Sequence, residues 1–404
     1  MKTAVWLYLF LFVAFFDLHA QYPMLTPFAV SLGAAPSFIG LVMGMYSLTH
    51  LPGNLIAGYG VDRLGSRLFI MASLTGAGVL LLFQSHVTDP WQLLYIRSIS
   101  GFVLAFLSPA CMSLLARLAK DHIHQGKLMA GNGLVHTIAS VVSPAAGAWL
   151  AATIGFSRSF AILGWVLLAT GIGSIWFIRE PSKSAEQSQP APKMTPAHAH
   201  ASPPIPAAES QPTPRTFPWS VFVLPISMAF AQGILAFELP LRGSSTSAEI
   251  MTTGLLFSVV SLGALSTLGL LFLNRYLPYS RTISGVMLLA IAYYGLASGW
   301  PLPLMLLLFV IGMSKGVIFP AMTSLMLQLS GPSRYGRTFS ALSIALSIGS
   351  FLGPVAAGAV RDSFSPYFLS FLVLMLALLC LFPRPVFRMN WNSSKSSTPH
   401  APGS

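Results

Sequence analysis

The chain has 404 residues, of which only 22 Lys or Arg and 10 Asp or Glu are formally charged. That is 8%, against about 25% in an ordinary soluble domain, while apolar residues make up 54% and the mean hydropathy is +0.72. Such a chain cannot cover a soluble core with a charged shell, so it reads as an integral membrane protein, and two cysteines far apart in sequence exclude a disulfide scaffold.

A helix needs about 20 residues to cross a hydrocarbon core of about 30 Å. Taken in chain order, twelve apolar segments qualify: 4–28, 38–60, 68–86, 91–116, 127–150, 156–178, 218–240, 251–274, 282–299, 302–330, 337–359 and 364–383. The runs are continuously apolar rather than alternating, which favours helices over a barrel. The first reads as a span and not as a cleaved signal. Its apolar stretch continues past Asp17 to Phe28, Leu18 is a poor −3 residue, and cleavage would leave an odd set of spans.

The 22 basic residues divide unevenly among the loops. Arg158, Arg242 and Arg361 fall on one side, Arg97 and Lys315 within spans, and the other 17 on the side of the N-terminus. By the positive-inside rule both termini are cytoplasmic, in the cell (inner or plasma) membrane. This clustering also accounts for the net charge of +12 without nucleic acid. Ten prolines run from Pro181 to Pro218, nine of them within residues 179–217, which read as a disordered cytoplasmic linker, as does the polar tail 384–404. His198 and His200 in the linker read as solvated histidines and not as a metal site. The expected domains are 1–178 and 218–383, each a bundle of six helices.

The two halves resemble each other. P-A-C-M-S-L at 109–114 matches P-A-M-T-S-L at 320–325, offset by 211 residues, and Gly101 and Gly312 share that offset. Gly126 and Gly336 are offset by 210, as are Pro144 and Pro354, so one deletion in the loop reconciles them. S-P-A-A-G at 143–147 echoes G-P-V-A-A-G at 353–358. The expectation is six plus six helices about a pseudo-two-fold along the membrane normal.

The loop after the second span reads G-Y-G-V-D-R-L-G-S-R (58–67). It resembles the cytoplasmic signature of the major facilitator superfamily, with Gly58, Asp62, Arg63, Gly65 and Arg67 in the signature places. The equivalent loop N-R-Y-L-P-Y-S-R (274–281) keeps Arg275 and Arg281 but has Asn274 for the acid. Arg97 and Gly101 resemble the family's Arg-x-x-x-Gly motif. The first span, F-F-D-L-H-A-Q-Y-P-M-L-T-P-F (15–28), and S-P-A-A-G in the fifth resemble those of the twelve-helix drug/proton antiporter group, although Ser143 replaces a glycine. The resemblance implies an all-α membrane fold of twelve helices in two bundles, working as a monomer by alternating access.

It also implies a latch. In this family the signature loop holds the cytoplasmic ends of the halves together, and a carboxylate at a helix N-terminus gains about 0.3–1 kcal/mol. Asp62, with Arg63 and Arg67, is expected to latch the outward-facing state against the start of the eleventh span.

Ionisable residues inside spans are costly and are functional candidates by default. At 1.5 Å per residue, Asp17 lies about 20 Å from the inner surface and Arg97 about 9 Å from the outer one. Those depths coincide, so an ion pair lining a central cavity is expected, with Asp17 as the proton site and Arg97 as its partner. Lys315, about 20 Å from the outer face, is a candidate for an anionic group of the substrate or for structural pairing. His19, His50 and His136 are candidates for substrate contact. Glu238 and Arg242, four residues apart, read as a surface pair. Pro144, Gly147, Gly353, Pro354 and Gly358 are expected to kink the fifth and eleventh spans and let helices pack closely. No metal-ligand spacing, no nucleophile with a base and no phosphate-binding loop is present, so no cofactor, enzyme activity or direct ATP use is implied.

The expected function is secondary active transport, with proton-coupled export of a small amphipathic compound preferred. Proton-coupled uptake of a small organic anion or metabolite is the second possibility. A non-transporting sensor or assembly factor on the same fold is the third.

Overall fold

The computed structural model describes residues 2–119, 122–178, 219–242, 246–270, 275–330 and 335–381. The sequence-predicted linker 179–217 and tail 384–404, and with them His198 and His200, lie outside the described residues.

Among the described residues the first half comprises α1 (Lys2–Ala20), α2 (Tyr22–Ser31), α3 (Pro36–Leu64), α4 (Ser66–Gln84), α5 (Pro90–Leu104), α6 (Leu107–Arg117), α7 (His122–Ile154) and α8 (Phe156–Phe177). The second comprises α9 (Val223–Arg242), α10 (Ser247–Leu268), α11 (Pro278–Ser298), α12 (Leu304–Ser330), α13 (Tyr335–Val360) and α14 (Pro366–Leu381). Among the described residues ten spans are long and apolar enough to cross a membrane. The 29-residue α3 and the shorter apolar α14 complete the expected twelve.

Two spans are each built from two helices, and proline accounts for both breaks. Pro23 has no N–H to give to the carbonyl of His19, so span one is interrupted at Gln21, between α1 and α2. Pro109, near the start of α6, likewise has no N–H to give to the carbonyl of Ala105, and span four breaks between Leu104 and Leu107. Pro144 and Pro354 instead stay inside the unbroken helices α7 and α13.

The helix pairing reproduces the internal repeat. In the first half α1 packs on α7, α3 on α5, and α4 on α8. In the second, α9 packs on α13, α10 on α12, and α11 on α14, which are the same pairs six spans later. The halves meet through α3 against α13 and α7 against α10, two seams exchanged by the pseudo-two-fold, and through α2 against α9 and α10. Large apolar side chains such as Trp165, Leu255 and Leu379 are exposed. A soluble monomer rarely leaves so much apolar surface uncovered, and a lipid surround removes the penalty.

The seams close one end of the bundle. This distal end carries the turns at Gly33, Gly155 and Gly299, and the proximal end carries Lys2 and the turn at Gly65. A Cβ added to Gly358 would lie 2.5 Å from the carbonyl oxygen of Pro36, and one on Gly44 would lie 2.8 Å from that of Phe351. At the other seam, a Cβ on Gly254 would lie 2.6 Å from the oxygen of Pro144. Backbones this close need residues without side chains, as small-residue seams between membrane helices do. Gly353 abuts Phe230 and Gly147 abuts Ala20, each inside its own half. The proximal part of span four, α6, packs on α1, α3, α4, α5 and α7, all within its own half.

Candidate functional site

A cavity of about 350 Å³ lies between the halves, bounded by α1, α2, α3, α5, α9 and α13. Its floor is Pro354 and Gly233, beside the α3–α13 seam. Polar groups come from Gln21, Tyr46, His50, Asn54, Gln232 and Ser347, with Arg97 at one wall. Leu18, Leu25, Met43 and Leu346 supply apolar surface.

A buried polar chain runs behind that wall. The side-chain nitrogen of Gln21 donates to both carboxylate oxygens of Asp17, at 3.0 Å each. Arg97 Nη1 donates to the side-chain oxygen of Gln21 at 2.7 Å. Arginine only donates and a carboxylate only accepts, so only this orientation of the Gln21 amide serves both. Asp17, Gln21 and Arg97 are 2%, 4% and 7% exposed, so each depends on these partners. The sequence-based expectation of a direct Asp17–Arg97 ion pair is therefore corrected. The depths coincide, but Gln21, one helical turn beyond Asp17 at the break in span one, stands between the two charges.

Arg97 is held from a second side by Tyr46, whose ring centroid lies 4.6 Å from the guanidinium carbon. The spacing of Arg97 and Gly101 makes this contact possible. Four residues apart, they share one face of α5, and Gly101 sits against the Tyr46 carbonyl of α3. A side chain at Gly101 would push α5 and its arginine away from the tyrosine.

A second group flanks span one on its other side. His19 Nδ1 donates to the Phe15 carbonyl at 2.7 Å, which leaves Nε2 as an acceptor. The His136 ring stands edge-on to Phe15 and His19, at centroid distances of 4.6 and 5.2 Å. Lys315 of α12 lies within range of a charge interaction with both histidines. It has neither a hydrogen bond nor a carboxylate within 4 Å among the described residues. The structure thus brings His19, His136 and Lys315 together from spans one, five and ten, across the two halves. His50 is elsewhere, lining the cavity, with its Nδ1 2.9 Å from Asn54 Nδ2.

The signature loop lies at the proximal end, away from the cavity. Gly65 makes the one-residue turn between α3 and α4 at φ +93°, a conformation side chains rarely adopt, which explains the glycine. Arg67 donates to the carbonyl of Ile175 in the last turn of α8, so here it ties two helices of its own half. Arg63 is exposed, and the Gly58 and Asp62 positions lie outside the residues whose side chains are described.

Glu238 also corrects the sequence reading. It is 6% exposed and pairs with Arg361 at 3.8 Å, tying α9 to the end of α13. Arg242 instead lies over the ring of Tyr367, 4.9 Å from its centroid. Spacing along one helix suggested a surface pair; packing against neighbouring helices supplied other partners.

Several site residues escaped the sequence reading. Gln21 is four residues from Asp17, and Tyr46 and Asn54 stand four residues to either side of the expected His50 along α3. Ser343, Ser347 and Ser350 line one face of α13 at the same helical period. Polar residues recurring at that period within an apolar span were the available signal.

The family model of the Major Facilitator Superfamily matches residues 7–297 and 281–402. The chain is 26% identical over 378 residues to the multidrug resistance protein MdtG of Salmonella paratyphi A (strain ATCC 9150 / SARB42), covering 90% of this chain and 89% of that one. It is 26% identical over 375 residues to MdtG of Serratia proteamaculans (strain 568), covering 89% and 86%. The fold is similar to the crystal structure of a bacterial homolog of the human lysosomal transporter Spinster in an inward-facing and occupied conformation. There the TM-score is 0.72 at 16% identity, over 94% of this chain and 95% of that one.

Proposed function

The chain belongs to the Major Facilitator Superfamily, and from that premise we propose that it exports a small amphipathic compound in exchange for protons. It is a multi-pass membrane transporter, and its ligand is a small molecule. The observation that carries the finer reading is the buried Asp17–Gln21–Arg97 chain, which joins a carboxylate to the wall of the central cavity.

The chemistry follows from hydrogen-bond roles. While Asp17 is ionised it accepts from Gln21, which in turn accepts from Arg97. A proton on Asp17 turns one of its oxygens into a donor and removes one of the two acceptors that Gln21 faces. Where the new O–H is directed at Gln21, the amide turns its oxygen to accept it and Arg97 loses its partner, so the cavity wall changes as the proton arrives. A substrate that competes for Gln21 or Arg97 acts on the same chain in reverse, which couples proton and substrate by linkage. The mixed lining suits a compound with one polar and one apolar side, and about 350 Å³ falls in the ordinary range for small-molecule sites.

With both termini cytoplasmic, the reading that the bias of basic residues supports, the closed distal end faces outward and the cavity serves the cytoplasmic side. Asp62, in the signature loop, latches the opposite, outward-facing state. The protein acts as a monomer in the cell membrane, each half moving as a unit about the cavity.

A second reading, proton-coupled uptake of a small organic anion, is favoured by one observation. Lys315 has no counter-charge among the described residues and lies within charge-interaction range of His19 and His136 in the other half. Proteoliposomes with an imposed proton gradient decide between the readings. Gradient-driven movement of amphipathic dyes, lost in Asp17→Asn, supports export. Gradient-driven accumulation of organic acids, lost in Lys315→Gln, supports uptake. Dye movement of equal rate with and without the gradient refutes proton coupling.

A further inference from the structure

A second cavity, of about 290 Å³, lies between α10, α11 and α12 in the C-terminal half and shares no lining residue with the central one. Its one charged lining residue is Arg281, which the sequence reading took only as part of the loop equivalent to the signature loop. Arg281 is 9% exposed, and its Nε is buried without a hydrogen-bond partner. Among the described residues no hydrogen bond leaves its guanidinium, and no carboxylate lies within 4 Å of it. A buried guanidinium nitrogen left without an acceptor is costly, and an anion reaching it would answer it. Arg67, at the equivalent place in the first half, has the Ile175 carbonyl as its acceptor.

The surroundings favour an anion with an apolar body. Arg281 lies in the first turn of the 21-residue α11, where the helix presents its positive end. Ser280 lines the same cavity, and no acidic residue does. Ser280, Ser284 and Leu288 are exposed and follow one another at four-residue spacing, so the cavity opens along one face of α11. Leu288, Met313 and Val317 continue the lining away from the arginine. α11 spans the membrane, so the exposed face that carries Ser284 and Leu288 is a face that lipid can reach, near the proximal end of the helix.

We infer that this cavity binds a phosphate ester through Arg281, namely the headgroup of an anionic membrane phospholipid whose acyl chain lies along Leu288 and Val317. Guanidinium matches a phosphodiester in two parallel hydrogen bonds. A zwitterionic headgroup would bring an amine for which the lining has no carboxylate, so phosphatidylglycerol is preferred to phosphatidylethanolamine.

The test is native mass spectrometry of the full chain in detergent, titrated separately with phosphatidylglycerol, phosphatidylethanolamine and inorganic phosphate. Two variants accompany the wild type. Arg281→Gln removes the charge. Ser284→Phe fills the exposed mouth without touching the buried guanidinium, and remains informative if Arg281→Gln does not fold. The expected result is at least fivefold stronger phosphatidylglycerol than phosphatidylethanolamine binding in the wild type, with the preference lost in both variants. Arg281-dependent binding of inorganic phosphate without any lipid preference would keep the phosphate site but assign it to a free anion, overturning the lipid. Equal phosphatidylglycerol occupancy in the wild type and both variants would overturn the site itself.

Discussion

Replacing Gly358 by alanine tests whether the two seams hold the distal end shut. The new methyl would lie 2.5 Å from the Pro36 oxygen and 2.9 Å from Ser37 Cα, both backbone atoms that cannot rotate away. Restoring an ordinary contact of 3.4 Å moves α3 and α13 apart by about 0.9 Å along that line. Forcing extra volume into a packed contact costs about 1–3 kcal/mol. If the proximally closed state lacks this contact, the penalty falls on one conformation only and shifts the equilibrium roughly five- to 150-fold. The assay is double electron–electron resonance between spin labels at exposed Thr88 and Ala248, one in each half at the distal end. Cys111 and Cys380 are first replaced so that only the two labels report. The distance distribution should gain a longer component in Gly358→Ala and a larger one when Gly254→Ala is added at the other seam. Gly133→Ala is the control, since a Cβ there meets nothing within 4 Å. An unchanged distribution in the double variant, with the protein correctly inserted, would refute the reasoning.

Three further outcomes are expected. Gln21→Leu leaves the buried Arg97 and Asp17 without their shared partner and should lower stability by about 1.5–3 kcal/mol or more, read as a fall in the melting temperature of the detergent-solubilised protein; an unchanged melting temperature would mean the chain of bonds is dispensable. Asp62→Asn should abolish transport while surface expression stays normal, and wild-type flux in proteoliposomes would dispose of the latch. Glu238→Gln should destabilise the C-terminal half by between the ~1 kcal/mol of an exposed pair and the ~3 kcal/mol of a buried one, since Arg361 is partly exposed. Thermal unfolding of Glu238→Gln, Arg361→Gln and the double variant would show coupling between the two sites; strict additivity would refute the pair.

Much of the fold was legible because a bilayer imposes length and composition on each span. Apolar runs of about 20 residues, the loop charges and the repeat at 109–114 and 320–325 led to twelve helices in two bundles. The residues of the site were legible one at a time, since each charge inside a span stands out. Their partners were not. Gln21 gave no charge signal, yet it carries the link between Asp17 and Arg97, and Glu238 found Arg361 rather than the neighbour its own helix offered.

The sequence by itself thus determined which segments cross the membrane, how they repeat and where charge is buried, because those depend on hydropathy and spacing along one chain. Only the tertiary structure decided which buried groups meet, which glycines carry the seams, and that among the described residues Arg281 Nε stands without a partner where Arg67 has one. Those outcomes depend on how helices distant in sequence approach and rotate against each other. A few ångströms there separate an ion pair from a relay, and a spacing rule within one helix carries no information about them.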